Sequence, residues 1–388
     1  MYKMTYATVE IMGGLGNQLF QIFTLIAYCF QHKTAFYFSD KPIQHGQRKK
    51  VYWSTLLKTL EPFTRGVSTP RTPPGGKPPT PPIGGKVEEQ TNEAPNEILN
   101  PHRGAWGVQS PNEKLNPHGG VRGVLTPRVI AEQNFHYQAL PSPPENQDVA
   151  LFGYFQSYKY FEDHQCDIFR IIKLRDSQAT VRAKYPYNYA KTLAVHFRVG
   201  DYVNLPNHHP IMTLEYYTQA LKQFLKDMPE HKLLSSSGRE SALCETLHQA
   251  QQAQQAQQAH ACTWNILYFC EQNDQVFVDT HFIKPLQQHP ELMGKFTFQC
   301  IDHTLEDWTQ MLVMSLCKHH IIANSTFSWW GAFLANDSTN ANDSANANDS
   351  TNESSSSSKV YYPSTWFGPA MTNKNLADLF PSDWRKIN

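Results

Sequence analysis

The sequence predicts an α/β fold with parallel sheets. Three observations predict it. Short apolar runs alternate with segments of helical spacing, the apolar runs end in polar or glycine-rich turns, and three low-complexity stretches interrupt the alternation without belonging to it. Ligands of such folds sit beyond the carboxyl ends of the strands, so the turns after apolar runs are where function is sought.

A strand and a helix open the chain over residues 6–32, where "VEIMGGLGNQLFQIFTLIAYCF" reads as strand, glycine turn and apolar helix. "TAFYFSD", "YWSTLLKTLEPF" and "VALFGYFQSYKYFEDHQCDIFRII" follow, the last a strand running into a helix. "TLAVHFRVGDY" is an apolar strand ending in a polar turn. "TLEYYTQALKQFL" puts Leu214, Tyr217, Leu221 and Leu225 on one helical face. "WNILYFC" and "FTFQCID" are strands, "DWTQMLVMSLCKH" is a helix, and "HIIAN" is a strand feeding the helix "STFSWWGAFLA". "KVYYPSTWF" closes as strand and turn. Adjacent Trp329 and Trp330 cannot share a helix face, so one is expected in the core and the other at the edge of a cleft.

Residues 66–146 are rich in proline and glycine, 234–262 contain "QAQQAQQAQQA", and 335–358 repeat Asn, Asp and Ser. None has an apolar face to bury, so all three read as disordered surface insertions. Closure entropy grows slowly with loop length, which makes such insertions tolerable.

The 388 residues carry 34 basic and 34 acidic side chains, with no basic stripe interleaved with aromatics, which argues against a nucleic-acid partner. The seven cysteines form no CxxC pair and no regular spacing, as expected of reduced thiols. No run reaches the roughly 18 apolar residues that span a bilayer, and no basic segment precedes the first helix. A cytoplasmic location, at most peripheral to a membrane, is the expectation. The N-x-S/T sequons at Asn324, Asn336, Asn342, Asn348 and Asn352 are then unused.

Three turns carry the chemistry. In "GGLGNQ" the glycines Gly14 and Gly16 let backbone approach a ligand, while Asn17 and Gln18 offer amide donors at a helix start. In "HFRVGDY" strand alternation puts His196 and Arg198 on one face, and an always-charged arginine at a strand end suits a phosphate. Asp201 there could orient the arginine, hold a sugar hydroxyl or accept a proton; equally, it could pair with Arg198 and merely close the turn. In "ANSTFSWWGAF" Asn324, Ser325, Thr326 and Ser328 combine hydroxyls with the free N–H groups of a helix start, an anion site that also reads as a plain capping sequence. Together they would cradle a diphosphate, and a nucleotide-sugar is the natural ligand. No D-x-D, H-E-x-x-H or G-x-S-x-G occurs, and no cysteine–histidine zinc spacing is read, so no metal is expected. The pairs His208-His209 and His319-His320 read as surface or packing histidines.

With those motifs in order, the sequence resembles the α-1,2-fucosyltransferases of glycosyltransferase family 11. "GGLGNQLFQ", "HFRVGDY" and "NSTFSWWGAFL" carry the likeness, supported by "YWSTLLKTLEPF", "LFGYFQSYKYF" and "LPNHHPIMTLEYY". The resemblance implies a B-type glycosyltransferase of two Rossmann-like halves facing a cleft, here residues 1–190 and a donor-binding 191–388. It implies inverting transfer of L-fucose from GDP-fucose to the 2-hydroxyl of a galactose-containing glycan, with no metal or other cofactor. By motif, Arg198 resembles the arginine that pairs with the donor's β-phosphate, His196 accompanies it, and Asp201 is the first candidate base. Gly14, Gly16, Asn17 and Gln18, with Asn324, Ser325, Thr326 and Ser328, fall to donor binding. Two departures stand out: Val199 replaces a second arginine, and Cys270-Glu271-Gln272 stands where Ser-Asp-Asp is usual. A non-catalytic sugar- or nucleotide-binding homologue on the same fold is the alternative.

Overall fold

Parallel pairing of short apolar strands builds two larger sheets and a two-stranded pair of Phe38–Ser39 with Thr64–Arg65 in the computed structural model, which describes residues 5–39, 52–65, 126–228, 264–335, 358–371 and 374–388. The strands are β1 (Tyr6–Val9), β2 (Ala35–Phe36), β3 (Phe38–Ser39), β4 (Thr64–Arg65), β5 (Arg128–Ala131) and β6 (Val149–Phe152), then β7 (Thr192–His196), β8 (Trp264–Phe269), β9 (Phe296–Cys300), β10 (His319–Ile321), β11 (Val360–Pro363) and β12 (Arg385–Ile387). The helices are α1 (Leu15–His32), α2 (Gln165–Ile171), α3 (Leu174–Lys184), α4 (Leu214–Asp227), α5 (Gln275–Val278), α6 (Lys284–Gln288), α7 (Asp307–Leu316) and α8 (Thr326–Phe333).

The first sheet runs β2-β1-β6-β5 and the larger one β12-β11-β10-β7-β8-β9, with every pairing parallel. The α/β class is therefore as the sequence predicts. Counted from β7, the larger sheet has the strand order 3-2-1-4-5-6 of a doubly wound nucleotide-binding fold. Its central strand β7 is buried at every residue, as a strand covered on both faces must be. Alternation sorts its side chains: Ala194 joins the core shared with the first sheet, whereas Leu193 and Val195 face a second core under α4, α5 and α6. The division expected at residue 190 falls in the link before β7, and the elements on both sides of it lie in one compact unit.

One expected insertion ends earlier than the composition suggests. Within 66–146, Arg128–Ala131 forms β5 and pairs with β6, because Ile130 has an apolar place in the core. Residues 66–125 and 234–262 lie outside the described residues, as does 335–358 apart from its two end positions.

What joins the sheets is aromatic. Phe20 and Phe23 of α1 pack against Trp330 with ring centroids 5.0 and 4.6 Å apart, and Phe20 lies 4.5 Å from Trp329. Both tryptophans are fully buried, so neither edges a cleft; α8 is buried at every residue from Ser328 to Phe333, and adjacent rings can both be core in such a helix. Trp329 also donates its indole N–H to Leu379 O at 2.8 Å. The close approach continues at the helix starts. A Cβ on Gly16 would lie 2.5 Å from the Thr326 backbone, so no larger residue fits there.

Two tests follow from this packing. Gly16→Ala should cost about 1–3 kcal/mol in urea denaturation, because overpacking falls on backbone that has no freedom to move. Gly14→Ala meets no atom within 4 Å and should lose only the N-cap preference of Gly over Ala, under about 1 kcal/mol. The second test concerns pH. Burial lowers the pKa of His196 to about 3, helped by Arg198, and burial likewise lowers His319 to about 3 and His320 to about 4. Unfolded histidine takes its proton near 6.5, so below that pH the unfolded chain binds more protons and stability falls as pH is lowered. Each should remove about 1 kcal/mol per pH unit below roughly 6. Denaturation midpoints measured from pH 7.5 down to pH 5 check this, and a flat profile would refute neutral burial.

Candidate functional site

β7 and β10 are neighbours in the larger sheet, and the winding reverses between them: β8 and β9 continue on one side, β11 and β12 on the other. The crevice beyond such a reversal is the natural ligand site. A cleft of about 580 Å3 opens there, and the three turns singled out in the sequence all line it. They contribute Gly14, Gly16 and Asn17, then His196, Arg198 and Asp201, then Asn324, Ser325 and Thr326.

Gln18 and Ser328 do not line it. Gln18 is buried and donates through Nε2 to Gly13 O at 2.9 Å, holding the glycine turn. Ser328 is fully buried and its hydroxyl lies 3.2 Å from Ser325 O and 3.4 Å from Ala323 O. Asn324 is 2% exposed and donates through Nδ2 to Pro210 O at 2.9 Å and Trp366 O at 3.2 Å. Its sequon is therefore closed in the folded chain. The other four sequons lie outside the described residues.

Two helix starts open on the cleft. α1 begins after Gly14, which supplies no side-chain cap, and the space beside Gly14 is clear. α8 begins after Ser325, whose hydroxyl accepts from Phe327 N at 3.3 Å. Both present the positive ends of their dipoles, with N–H groups still to be satisfied, where an anion would enter. Arg198 lines the same cleft as a fixed charge. Its guanidinium pairs with the carboxylates of Asp201 and Glu271 and lies 5.1 Å from the Tyr202 ring centroid. Tyr202 in turn donates to Asn324 O at 3.0 Å, tying the turn after β7 to the turn after β10. His196 is buried with its ring 5.5 Å from Phe327, and its Nδ1 has no partner among the described residues. Val199 is buried in the core alongside Phe197, on the side away from the cleft.

Sequence reasoning missed several lining groups. Gln156 donates from Nε2 to Asn17 Oδ1 at 2.9 Å, Glu271 holds Arg198, and His209 stacks 5.0 Å from Tyr202. Tyr52 and Asp307 also line the cleft, and the Tyr52 hydroxyl donates to Asp307. Gln156 and Glu271 both follow apolar strands, so the strand-end rule that found Arg198 would have found them. Glu271 supplies a carboxylate to Arg198 from the turn that departs from Ser-Asp-Asp. Cys270, Cys300 and His303 bring ligand atoms within 4.8 Å of one another, with Cys300 and His303 at one strand end. The third member comes from the neighbouring strand, which no linear pattern displays. Among the described residues, no helix is long and apolar enough to cross a membrane.

With this geometry in hand, comparison with known proteins is informative. Residues 293–369 match the model of glycosyl transferase family 11, a segment that includes the hydroxyl-rich start of α8. The resemblance read from the sequence is thereby borne out. The chain is 24% identical over 193 residues to the O-antigen biosynthesis glycosyltransferase WbnK of Escherichia coli, covering 47% of this chain and 50% of that protein. It is 22% identical over 198 residues to an alpha-1,2-colitosyltransferase of Escherichia coli, covering 48% of this chain and 52% of the relative. The chain thus spans about half the length of the curated relatives it matches. Among solved structures, a mutant of FUT1 from Arabidopsis thaliana in complex with GDP aligns with TM-score 0.37 at 10% identity, covering 86% of this chain and 68% of that one.

Proposed function

We propose that this chain is a glycosyltransferase that moves L-fucose, with inversion, from GDP-fucose to the 2-hydroxyl of a galactoside, without a metal at the diphosphate. One observation carries the reading: two helix starts and one arginine converge on the crevice where the doubly wound sheet reverses. That combination stabilises negative charge, and a departing nucleoside diphosphate is where negative charge grows during sugar transfer. The family 11 segment and the two sugar-transferase relatives support a nucleotide-activated sugar donor. The fucosyl unit rests on the family resemblance. Residues 191–388 act as the donor-binding half in this reading, and 1–190 contribute the glycine turn, Tyr52 and Gln156.

In the reaction the acceptor oxygen bonds to the anomeric carbon as the bond from that carbon to the β-phosphate oxygen breaks. The bonding electrons leave with GDP, and the acceptor proton passes to a base. Arg198 and the N–H groups at the starts of α1 and α8 hold the leaving diphosphate. Without donor, Arg198 is satisfied by Asp201 and Glu271. A phosphate taking their place on the guanidinium releases a carboxylate beside the incoming hydroxyl, and Asp201 is the first candidate for the base. His196 stays neutral next to the positive arginine and contributes position rather than charge.

The second reading, a sugar- or nucleotide-binding homologue, is favoured by that same double pairing of Arg198, which a resting structure has no need to exchange. Incubation with GDP-fucose and a galactoside array, with GDP release and product linkage measured, separates the two. Arg198→Ala is expected to lower kcat/KM by at least about 100-fold. Asp201→Asn is expected to lower kcat while GDP still binds. Near-normal turnover by Arg198→Ala would remove the assignment, and GDP binding with no release on any acceptor would leave the binding homologue.

A further inference from the structure

The carboxyl ends of β8 and β9 bring together three soft and borderline donors that sugar transfer does not use. Register pairs Tyr268 with Cys300, so Cys270, just past β8, meets the residues just past β9. The Sγ atoms of Cys270 and Cys300 and a ring nitrogen of His303 lie within 4.8 Å of one another, and Cys300 Sγ is 3.4 Å from His303 Nε2. Both cysteines are free, Cys270 buried and Cys300 half-buried. Cys270 and His303 line the edge of the cleft.

We propose that Cys270, Cys300 and His303 form a Zn2+ site on the rim of the cleft. Two thiolates and an imidazole suit a borderline-soft cation and exclude Mg2+ or Ca2+, which take oxygen ligands. Zn–S near 2.3 Å and Zn–N near 2.0 Å put tetrahedral ligand atoms roughly 3.5–3.8 Å apart, so the donor set closes around the ion by shifts of about 1 Å or less. Three ligands fill one face of the tetrahedron. With two of them on the cleft lining, the fourth position takes water or a ligand from the cleft side.

The transfer reaction does not require the site. Zn2+ with two thiolates and a neutral imidazole has no net charge, so it adds nothing to the field that Arg198 and the helix starts supply. Its mechanical effect is local: it clamps the Cys270–Glu271 turn, and Glu271 is one of the two carboxylates on Arg198.

The test titrates the reduced, metal-free full chain with Zn2+ against a chromogenic chelator, then with Co2+ to read sulfur-to-cobalt charge transfer. Expected are one Zn2+ per chain with Kd below about 1 μM and a Co2+ spectrum with a thiolate band and strong tetrahedral d–d absorption. Cys300→Ser and His303→Gln should each weaken binding at least about 100-fold while circular dichroism stays unchanged. Four results would overturn the site: binding retained by both variants, a Co2+ spectrum without the sulfur band, no binding by chain whose thiols titrate as reduced, or a Cys270–Cys300 disulfide in reduced preparations. None of these bears on whether GDP is released from GDP-fucose.

Discussion

The interlock of α1 with α8 is the constraint on which the remaining structure depends. Phe20 and Phe23 fill the space around Trp329 and Trp330, and Gly16 lies directly against the Thr326 backbone. A helix buried on nearly every side has no polar face by which to slide, so the contact fixes rotation as well as distance. Since each helix leaves a strand end through a short turn, docking the helices also docks the turns. The cleft is thus a by-product of core packing, assembled from residues about 300 positions apart in the chain.

At rest the charge of Arg198 is more than offset by the two carboxylates on it, so the standing positive potential comes from the backbone N–H groups of the two helix starts. The guanidinium charge becomes available only to a ligand that displaces those carboxylates. Backbone dipoles need no reorganisation when charge appears on the ligand, so the favourable term is available at the moment of bond cleavage.

Much of this was readable from the chain. The apolar run Thr192–His196 ends in a polar turn, and the rule that ligands collect at strand ends led to Arg198, to the glycine turn and to the hydroxyl-rich helix start. Strand order was not readable, because parallel strands are joined across long connections and pairing depends on contacts far apart in sequence. β5 was hidden because a four-residue edge strand has too few residues to show a period, and a proline- and glycine-rich tract precedes it. The tryptophan pair misled for a different reason: helix-face arithmetic assumes one wet side, and past its first two residues α8 has none. Gln18 and Ser328 look like ligand contacts by type, yet their polar atoms are turned onto the main chain of their own turns.

The two hydrogen bonds donated by the Asn324 amide have a consequence for the sequon it opens. Its side-chain nitrogen reaches carbonyls of Pro210 and Trp366, groups that come together only once the two flanks of the larger sheet have closed. An oligosaccharide could be attached at this asparagine only to a nascent, still-open polypeptide. A chain so marked would be barred from seating β10 beside β7. A glycan at this asparagine and the closed sheet therefore exclude one another, and the folded chain holds the side chain as a brace between the two flanks.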